Sequence, residues 1–333
     1  MTKGKTKVIV IGSNSFSGSD FIDLLLEEGR YSVVGISRSP EKSGLFLPYK
    51  RHKNADFRFY MMDLNRDMAG IRELTDGFQP DYIVNFAAQS EVAPSWKNPG
   101  QWFQTNAVSL TELADHLKGC KFLKKYVHIS SPEVYGACVG TVREDAPLNP
   151  STPYAASKAA GDLSLFTFVK NFSFPMVMIR STNVYGAHQQ LFKIIPRSVI
   201  YVKAGRTIEL HGGGTAVKSY IHIRDISRGE LAAMENGRKG EIYHLSPDNG
   251  IAVKDVVKII CDKSGVPFNK ATKVVEERLG QDAAYVIDSS KARKEFGWKP
   301  AVSMEEGLSG VIRWISDNWD EISKQPLEYI HKP

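Results

Sequence analysis

The sequence has 333 residues, of which 42% are hydrophobic and 24% are charged. These proportions are typical of a globular protein and exclude a disordered or fibrous chain. Lysine and arginine outnumber the acidic residues by 43 to 37, which gives a formal charge of +6. Because the basic residues are scattered and lack interleaved aromatic residues, we expect no nucleic-acid partner. Apolar runs are too short for a membrane span or a signal peptide, so we expect no membrane partner and a cytoplasmic location.

Cysteine and histidine show no spacing that predicts a metal site. The three cysteines, Cys120, Cys138 and Cys261, lie far apart without a CxxC pair. This spacing excludes a disulfide framework and the usual zinc motifs. We expect the three cysteines to be reduced and to pack as small residues in the core. The eight histidines contain no HExxH pattern, and His128 is expected to be a core residue of a strand.

From the N-terminal end, short apolar strands alternate with helical segments. Residues 8–11 are a continuous β-branched run, typical of a strand buried on both faces, and a glycine-containing turn and an apolar helix follow. Further strands are predicted at 32–36, 57–62, 82–86, 126–130 and 176–180, with helices at 68–78, 99–117 and 153–171. This alternation predicts an α/β fold with a doubly wound parallel sheet of the Rossmann type.

After Tyr185 the alternation gives way to a mixed pattern. Helices are predicted near 225–235, at 253–264 and near 304–318, and a strand at 242–245. We therefore expect residues 1–185 to form the dinucleotide-binding sheet domain, with a returning segment near 217–245. Residues 186–333 are expected to form mostly a smaller, mixed α/β domain that binds the substrate.

The segment between the first strand and the first helix has the composition of a phosphate-binding turn. Its glycines permit a tight turn, and the N–H groups of the following helix attract a pyrophosphate. Ser15 stands where the middle glycine of a dinucleotide-binding turn usually lies, so a plain structural turn is the alternative. The segment reads Gly12, Ser13, Asn14, Ser15, Phe16, Ser17 and Gly18.

The end of the second strand favours NADP over NAD. NAD sites usually carry an acidic residue here for the ribose hydroxyl, and this sequence has Ser37 and Arg38 instead. A hydroxyl and a guanidinium group suit the additional phosphate of NADP, although NAD is possible and an exposed loop role for Arg38 is the alternative. The expected walls for adenine and pyrophosphate, with plain packing as the alternative, are Asp63, Leu64, Phe86, Ala87 and Ala88.

Two later segments carry residues for proton transfer. Ser130, Ser131 and Glu133 follow the fifth strand. Tyr154 and Lys158 lie four residues apart on a predicted helix, and therefore on the same face. Because an ammonium group beside a phenol favours the phenolate, we expect the pair to remove a proton from a sugar hydroxyl near neutral pH. A surface position for the pair, and a turn-capping role for Glu133, are the alternatives.

Together these segments resemble the extended short-chain dehydrogenase/reductase family, and within it the nucleotide-sugar 4,6-dehydratases and 4-epimerases. The resemblance covers nearly the whole chain and is more specific for the family than for the reaction. It depends on residues 12–18, 63–64, 87–90, 106, 130–136, 154–158, 180–186 and 297–300.

The resemblance implies that Ser131, Tyr154 and Lys158 form a triad that oxidises C4 of a sugar while hydride passes to NADP. Glu133 matches a base that removes the C5 proton, so that the C6 hydroxyl is eliminated and the returning hydride leaves a 4-keto-6-deoxy sugar. Many relatives have an acid directly before this glutamate, where this sequence has Pro132. Glu133 must then act as base and acid, or another group must supply the proton. A 4-epimerase or 4-reductase with the same triad is the second reading, and a non-catalytic cofactor-sensing protein is a third.

The resemblance also implies the ligand and subunit contacts. Residues expected to contact the dinucleotide beyond the strand ends are Gln89, Asn106, Tyr154 and Lys158. Residues expected to contact a nucleoside-diphosphate sugar are Ser90, Asn183, Arg197, His211, Lys218 and Arg278. A homodimer through a four-helix bundle, with a buried intramolecular face as the alternative, is implied by Leu110, Leu113, Leu163, Leu165, Phe166 and Phe168.

Overall fold

The computed structural model describes residues 4–53, 55–137, 140–276 and 286–332. Its strands are Thr6–Ile11 (β1), Tyr31–Ser37 (β2), Phe57–Met61 (β3), Tyr82–Asn85 (β4), Lys125–Ile129 (β5), Thr141–Val142 (β6), Met176–Ser181 (β7), Asn183–Tyr185 (β8), Ile208–His211 (β9), Val217–Lys218 (β10), Tyr220–His222 (β11), Ile242–Leu245 (β12), Ile251–Ala252 (β13), Thr272–Val275 (β14) and Val286–Ile287 (β15).

Its helices are Phe16–Glu28 (α1), Met68–Phe78 (α2), Val92–Ser95 (α3), Pro99–Phe103 (α4), Ser109–Leu117 (α5), Pro153–Phe172 (α6), Ile194–Lys203 (α7), Ile223–Asn236 (α8), Val253–Lys263 (α9), Phe268–Ala271 (α10), Ser290–Phe296 (α11), Met304–Asp317 (α12) and Trp319–Ile322 (α13). A π-helical turn, Gln104–Val108, joins α4 to α5, and 3₁₀ turns lie at Pro48–Arg51, Pro132–Tyr135 and Gly212–Gly214.

A seven-stranded sheet of order β12-β7-β5-β4-β1-β2-β3 forms the centre of the molecule. Every neighbouring pair in it is parallel. The six strands predicted before Tyr185 and the strand predicted at 242–245 are the members of this sheet. The predicted doubly wound α/β fold is therefore confirmed.

The side chains of each central strand alternate between two apolar cores. Val8 and Val10 of β1 pack on the face covered by α1 and α8, whereas Ile9 and Ile11 belong to the core under α2, α5 and α6. Period-two alternation with apolar residues on both faces explains why the first strand is a continuous apolar run.

The later part of the chain builds a second apolar core. Helices α7, α9 and α12 pack together around residues such as Val199, Val257 and Val311. The pair β10–β13 is antiparallel and the pair β9–β14 is parallel, so this region has mixed α/β structure. The second core explains the different sequence pattern after Tyr185.

The segment near 217–245 returns to the large sheet. Helix α8 packs against α1, where Ser227 Oγ donates a 2.7 Å hydrogen bond to Asp20 Oδ2, and β12 pairs with β7. Helix α8 therefore lies against the large sheet and β12 belongs to it, and the domain division with its returning segment stays a prediction.

Most of the apolar residues that suggested a subunit interface are covered within the chain. Leu110, Leu113, Leu165 and Phe168 are buried in the core under α5 and α6, against which Phe166 also packs, whereas Leu163 is 58% exposed. For four of the six residues, the intramolecular alternative therefore explains the pattern.

Cys120 and Cys261 are not joined in a disulfide, and Cys261 is buried in the second core. Cys138 lies outside the described residues. Among the helices that the structure describes, none combines the length and the apolar composition of a membrane span.

Candidate active site

A cleft of about 310 Å³ opens at the carboxyl ends of β1 to β4. The first strand lies between β4 and β2 in the sheet, so the chain order reverses at this point, which is where doubly wound proteins bind ligands. Eleven of the residues predicted to contact the dinucleotide line the cleft: Gly12, Asn14, Ser15, Ser37, Arg38, Asp63, Leu64, Phe86, Ala87, Ala88 and Gln89.

Two glycines allow the turn after β1 to pack against the end of β4. Gly12 has a φ of 88°, and a Cβ atom on it would lie 2.7 Å from the main-chain nitrogen of Ala87. A Cβ atom on Gly18 would lie 2.4 Å from the carbonyl oxygen of Gly12. Ser15 caps α1 by accepting a 3.0 Å hydrogen bond from the Gly18 N–H, so serine in the middle position completes the turn.

Six of the residues predicted to contact the dinucleotide do not line the cleft, and their contact stays a prediction: Phe16, Ser17, Gly18, Asn106, Tyr154 and Lys158. The Asn106 Oδ1 accepts a 2.9 Å hydrogen bond from the Gln89 N–H, and its Nδ2 donates a 3.0 Å bond to the Gln89 carbonyl. Asn106 therefore positions the segment after β4 from behind the wall of the cleft.

Ser131, Glu133 and Tyr154 converge beyond the end of β5. Ser131 caps the 3₁₀ turn Pro132–Tyr135, and its Oγ accepts a 3.2 Å hydrogen bond from the Glu133 N–H. The Ser131 side chain also hydrogen bonds to the phenol of Tyr154. Tyr154 lies in the first turn of α6 because Thr152 and Pro153 begin this helix, with Thr152 Oγ1 accepting from the Ala155 N–H at 3.1 Å.

The phenol of Tyr154 is not acidified in this arrangement, contrary to the expectation from its spacing to Lys158. Burial raises the pKa of Tyr154, the charge of Glu133 raises it further, and the hydrogen bond from Ser131 lowers it. Lys158 donates its hydrogen bond to the Ile129 carbonyl, and its charge is not among the largest causes of this shift. Proximity on one helix face was therefore not enough to predict the protonation of Tyr154.

The ammonium group of Lys158 is directed to the end of β5. Its Nζ donates a 2.8 Å hydrogen bond to the Ile129 carbonyl and lies 3.3 Å from His128 Nε2. Burial lowers the pKa of Lys158 to about 8, with Asp162 opposing this shift and Arg180 adding to it. The alternative that Lys158 is a surface residue is therefore excluded.

A buried polar network surrounds Lys158. Asp162 Oδ2 accepts hydrogen bonds from Ser130 Oγ at 2.6 Å and from Arg180 Nη2 at 2.8 Å. Burial opposes ionisation of Asp162, but His128 and Arg180 hold its pKa below the usual range. Burial lowers the pKa of His128 to about 4, so this imidazole is neutral near pH 7.

Most of this network could not be recognised from the sequence. His128 is buried, as predicted, but it is also a contact of Lys158. Asp162 could have been found because it follows Lys158 by four residues and so lies on the same helix face. Arg180 begins the motif at 180–186, and no local pattern connects it to Asp162.

A second cavity, of about 450 Å³, lies beside the first. It brings together four of the six residues predicted to bind the sugar nucleotide: Asn183, Arg197, His211 and Lys218. Ser90 lines the first cleft instead, and Arg278 lies outside the described residues.

Glu91 joins the two cavities, because it lines both of them. Its carboxylate forms a 2.6 Å ion pair with Lys193 Nζ, and its charge contributes to the raised pKa of Tyr154. Neither Glu91 nor Lys193 was found from the sequence. Lys42, also missed, lines the first cleft and donates a 3.0 Å hydrogen bond to the Asn14 carbonyl.

Within the described part of the chain, one group of side chains has the composition of a metal site. Asp76, His116 and Cys120 bring their ligand atoms within 4.8 Å of one another. The group lies at the surface, where His116 Nε2 is 3.1 Å from Asp76 Oδ1, and neither cavity is lined by it. The prediction of no metal site stays a prediction.

Comparisons with known proteins agree with this geometry. The dTDP-glucose 4,6-dehydratase of Xanthomonas campestris pv. campestris is 30% identical over 328 residues, which cover 93% of this chain and 93% of that protein. The structure of DesIV, the dTDP-glucose 4,6-dehydratase of Streptomyces venezuelae, is similar with a TM-score of 0.86 and 30% identity, covering 95% of this chain and 98% of that one. The UDP-glucuronic acid 4-epimerase of Bacillus cereus has a TM-score of 0.86 and 27% identity, covering 94% and 99%.

The doubly wound sheet and these similarities are those of an extended short-chain dehydrogenase/reductase of the nucleotide-sugar dehydratase and epimerase group. Residues 9–311 match the family described as GDP-mannose 4,6 dehydratase. The chain belongs to this family.

Proposed function

We propose that the protein is an NADP-dependent nucleotide-sugar 4,6-dehydratase that converts a nucleoside-diphosphate hexose to its 4-keto-6-deoxy product. The observation that carries the proposal is the position of Glu133. Its N–H bonds to Ser131 Oγ, and its charge acts on the Tyr154 phenol, so a carboxylate stands beside the pair that would act at C4. Elimination of water needs such a base, whereas inversion at C4 does not.

The first cleft has the form and the donors that a nicotinamide dinucleotide needs. Gly12 brings the main chain close to the end of β4, and Arg38 and Lys42 supply cationic donors for phosphate. The related structures from Streptomyces venezuelae and Bacillus cereus were solved with NAD bound. When bound, the oxidised dinucleotide supplies a hydride acceptor and a positive charge that favours a phenolate nearby.

Tyr154 and Ser131 move the proton of the C4 hydroxyl. Because the pKa of Tyr154 is raised in the structure described here, its phenol is protonated near neutral pH and becomes a base only when positive charge is brought close to it. The Ser131 hydroxyl bonds to this phenol and is placed to orient the C4 hydroxyl toward it. Lys158 holds the start of α6 to the end of β5 through the Ile129 carbonyl.

Glu133 carries out the elimination. Once C4 is a ketone, the C5 proton is acidic, and the half-buried carboxylate of Glu133 removes it. The C6 hydroxyl leaves as water only if it receives a proton, and Pro132 has no group to supply one. We therefore infer that Glu133 passes the proton from C5 to the leaving hydroxyl, and that solvent later returns a proton to C5.

The second cavity accounts for recognition of the nucleoside diphosphate. Arg197 and Lys218 line it together with His211, and cationic arginine and lysine side chains are groups that bind diphosphate oxygens. Asn183 adds an amide donor and acceptor at the same wall. Because Glu91 lines both cavities, a sugar bound at their junction lies between the diphosphate and the dinucleotide.

NADP is the proposed dinucleotide because the end of β2 is cationic. Arg38 and Lys42 both line the cleft near Ser37, and no carboxylate directly follows β2. A 2′-phosphate adds two negative charges that these groups stabilise, whereas the ribose of NAD offers them only hydroxyl groups.

A homodimer is proposed on the outer surface of α4 to α6. Although four of the apolar residues first considered are internal, Phe103, Val108, Leu163 and Phe172 are exposed on these helices or on the π-helical turn between them. Exposed apolar side chains on adjacent helices are typical of a helix-bundle interface.

The proposal is tested with a panel of UDP-, dTDP-, GDP- and CDP-hexoses, each incubated with the protein and NADP. Mass spectrometry should find loss of one water from at least one of them. A substrate labelled with deuterium at C4 should deliver the label to C6, because only the dehydratase reaction moves it there. Label retained at C4 with an inverted centre would identify a 4-epimerase, and unchanged substrates throughout would contradict both reactions.

A further inference from the structure

Residues 327–332, which we name the strap, lie along the mouth of the first cleft. Leu327, Tyr329 and His331 are half-buried, whereas the residues between and after them are exposed. This alternation is typical of an extended chain that places every second side chain against the protein. Tyr329, Ile330 and Lys332 line the same cleft as the turn after β1.

The main chain of the strap bridges the two walls of the cleft. The Lys332 carbonyl oxygen accepts a 3.0 Å hydrogen bond from Arg38 Nη2 and another of 3.0 Å from Gln89 Nε2. Arg38 follows β2 and Gln89 follows β4, and β1 lies between these strands in the sheet. A single oxygen atom therefore occupies two donors that the fold directs into the dinucleotide cleft.

Aromatic contacts anchor the strap, one of them outside the cleft and the other at its lining. The His331 ring stacks on buried Trp102 with the centroids 5.2 Å apart, and its Nε2 lies 2.7 Å from Gln101 Oε1. Tyr329 packs edge-on against Phe192 with the centroids 5.3 Å apart. These contacts hold the Lys332 carbonyl at the cleft without using any residue of the catalytic cluster.

We propose that the strap is an autoinhibitory element that competes with the dinucleotide for Arg38 and Gln89. The inference rests on the proposed function, because it takes the first cleft to be the dinucleotide site. A dinucleotide that enters must break both hydrogen bonds to Lys332 and lift the strap, so the measured affinity is lower than that of the open cleft. Sequence motifs did not predict this contact, because it joins Arg38 to Lys332, which lie 294 positions apart in the chain.

The charges at the cleft explain why the strap can be displaced. Burial lowers the pKa of Lys42, and the charge of Lys332 lowers it further. When the strap binds in the cleft, the positive charges of Lys42 and Lys332 therefore lie together beside Arg38 and repel one another. An anionic dinucleotide would relieve this repulsion.

The test measures dinucleotide binding without a sugar nucleotide. The full chain is compared with a variant that ends at Glu328, which keeps the contact of Leu327 with the second core. Isothermal titration with NADP, and separately with NAD, should show about tenfold tighter binding to the shortened variant, as expected from loss of two competing hydrogen bonds. Equal or weaker binding, in a variant with an unchanged melting temperature, would overturn the strap as a competitor.

His331→Ala provides a second variant that keeps the whole chain. His331 does not line the cleft, so its replacement loosens the anchor on Trp102 and should tighten dinucleotide binding to a smaller degree. Hydrogen exchange of the strap amides should also become faster when NADP is added, and slower exchange would show that the strap covers the dinucleotide instead. If neither NAD nor NADP binds to the full chain or to either variant, the dinucleotide site itself is refuted. Equal affinity of the full chain and both variants refutes only the competition between the strap and the dinucleotide.

Discussion

Lys158 Nζ donates a 2.8 Å hydrogen bond to the main-chain carbonyl of Ile129. This bond ties the first half of α6 to the last residue of β5, and it places a cation inside the protein beside His128 and Arg180. Among the described residues, one carboxylate, that of Asp162, faces these groups. Two buried cations therefore share one buried anion, and this imbalance has measurable consequences for stability.

Replacing Lys158 by methionine should abolish activity and stabilise the fold. Removing the excess charge should raise the free energy of unfolding by about 1–3 kcal/mol, the difference between the relief of charge burial and the lost hydrogen bond. Folding lowers the pKa of Lys158 from 10.5 to about 8. The buried charge therefore destabilises the folded protein fully below about pH 8, and this destabilisation disappears as the pH rises toward 10.5. Urea unfolding at about pH 7 and about pH 10 should thus show a larger gain at the lower pH.

Asp162→Asn is the matched control for this charge balance. It leaves Lys158 and Arg180 buried without their anion, and we expect it to destabilise the fold by about 3 kcal/mol or more. If both variants were destabilised equally, packing rather than charge would govern this network.

Tyr154→Phe removes the phenol while keeping the ring. Loss of a proton-transfer group should reduce the rate of product formation by about 10²–10⁴-fold, whereas dinucleotide affinity should change little, because the phenol does not line the first cleft. Turnover by mass spectrometry and binding by titration check the two halves separately. Unchanged turnover would remove Tyr154 from the mechanism.

Glu133→Gln should separate oxidation from elimination. The amide cannot accept the C5 proton, so dehydration should fall by about 10²-fold or more, while C4 oxidation through Tyr154 continues. Reduced dinucleotide should then accumulate in near-ultraviolet absorbance, and exchange of the C5 hydrogen with deuterated solvent should be lost. A variant that still dehydrates at the original rate would give the role of base to another group, with Glu91 the first to examine.

Arg38→Ser should weaken NADP binding by about tenfold or more through loss of a charge-assisted hydrogen bond. NAD binding should be unchanged or tighter, because the substitution also removes one of the bonds that hold the Lys332 carbonyl. Lys42→Ala, at the same wall, should show the same preference. Equal losses for the two dinucleotides would contradict a 2′-phosphate site at the end of β2.

Leu163→Glu tests the proposed dimer. Leu163 is 58% exposed on α6, and a charge in a helix-bundle interface should convert the dimer to a monomer in light scattering after gel filtration. Val274→Glu is the control, because Val274 is an exposed apolar residue, at 72%, far along the chain on β14. A wild-type protein that is monomeric at all concentrations would refute the interface directly.

Local sequence patterns predicted the sheet well because its central strands are buried on both faces, although the edge strand β3 is only partly buried. The runs at 8–11 and 82–86 have no other stable environment than the interior of a parallel sheet, and the helix at 68–78 was found with its observed ends. The π-helical turn at Gln104–Val108 was predicted as continuous helix, since the extra residue in the turn leaves no mark on the apolar pattern.

Only those site residues that lie at strand ends or within motifs could be predicted from the sequence. The cleft lined by Gly12 and Arg38 follows from the rule for parallel sheets, but the direction of the Lys158 ammonium and the raised pKa of Tyr154 depend on burial that spacing does not reveal. Asn106 acts on Gln89 through hydrogen bonds across seventeen positions, and no sequence signal distinguishes such support from ligand contact.

The position of β12 at the edge of the large sheet has a consequence for synthesis of the protein. This strand pairs with β7, which precedes it by more than sixty positions in the chain, Met178 lying opposite Ile242. On the ribosome, β7 presents an open edge until residue 245 has emerged, and an unpaired apolar strand is a site for aggregation. We therefore expect translation pauses before this point to be harmful, and chaperone binding to the nascent chain to end once the last strand has been inserted.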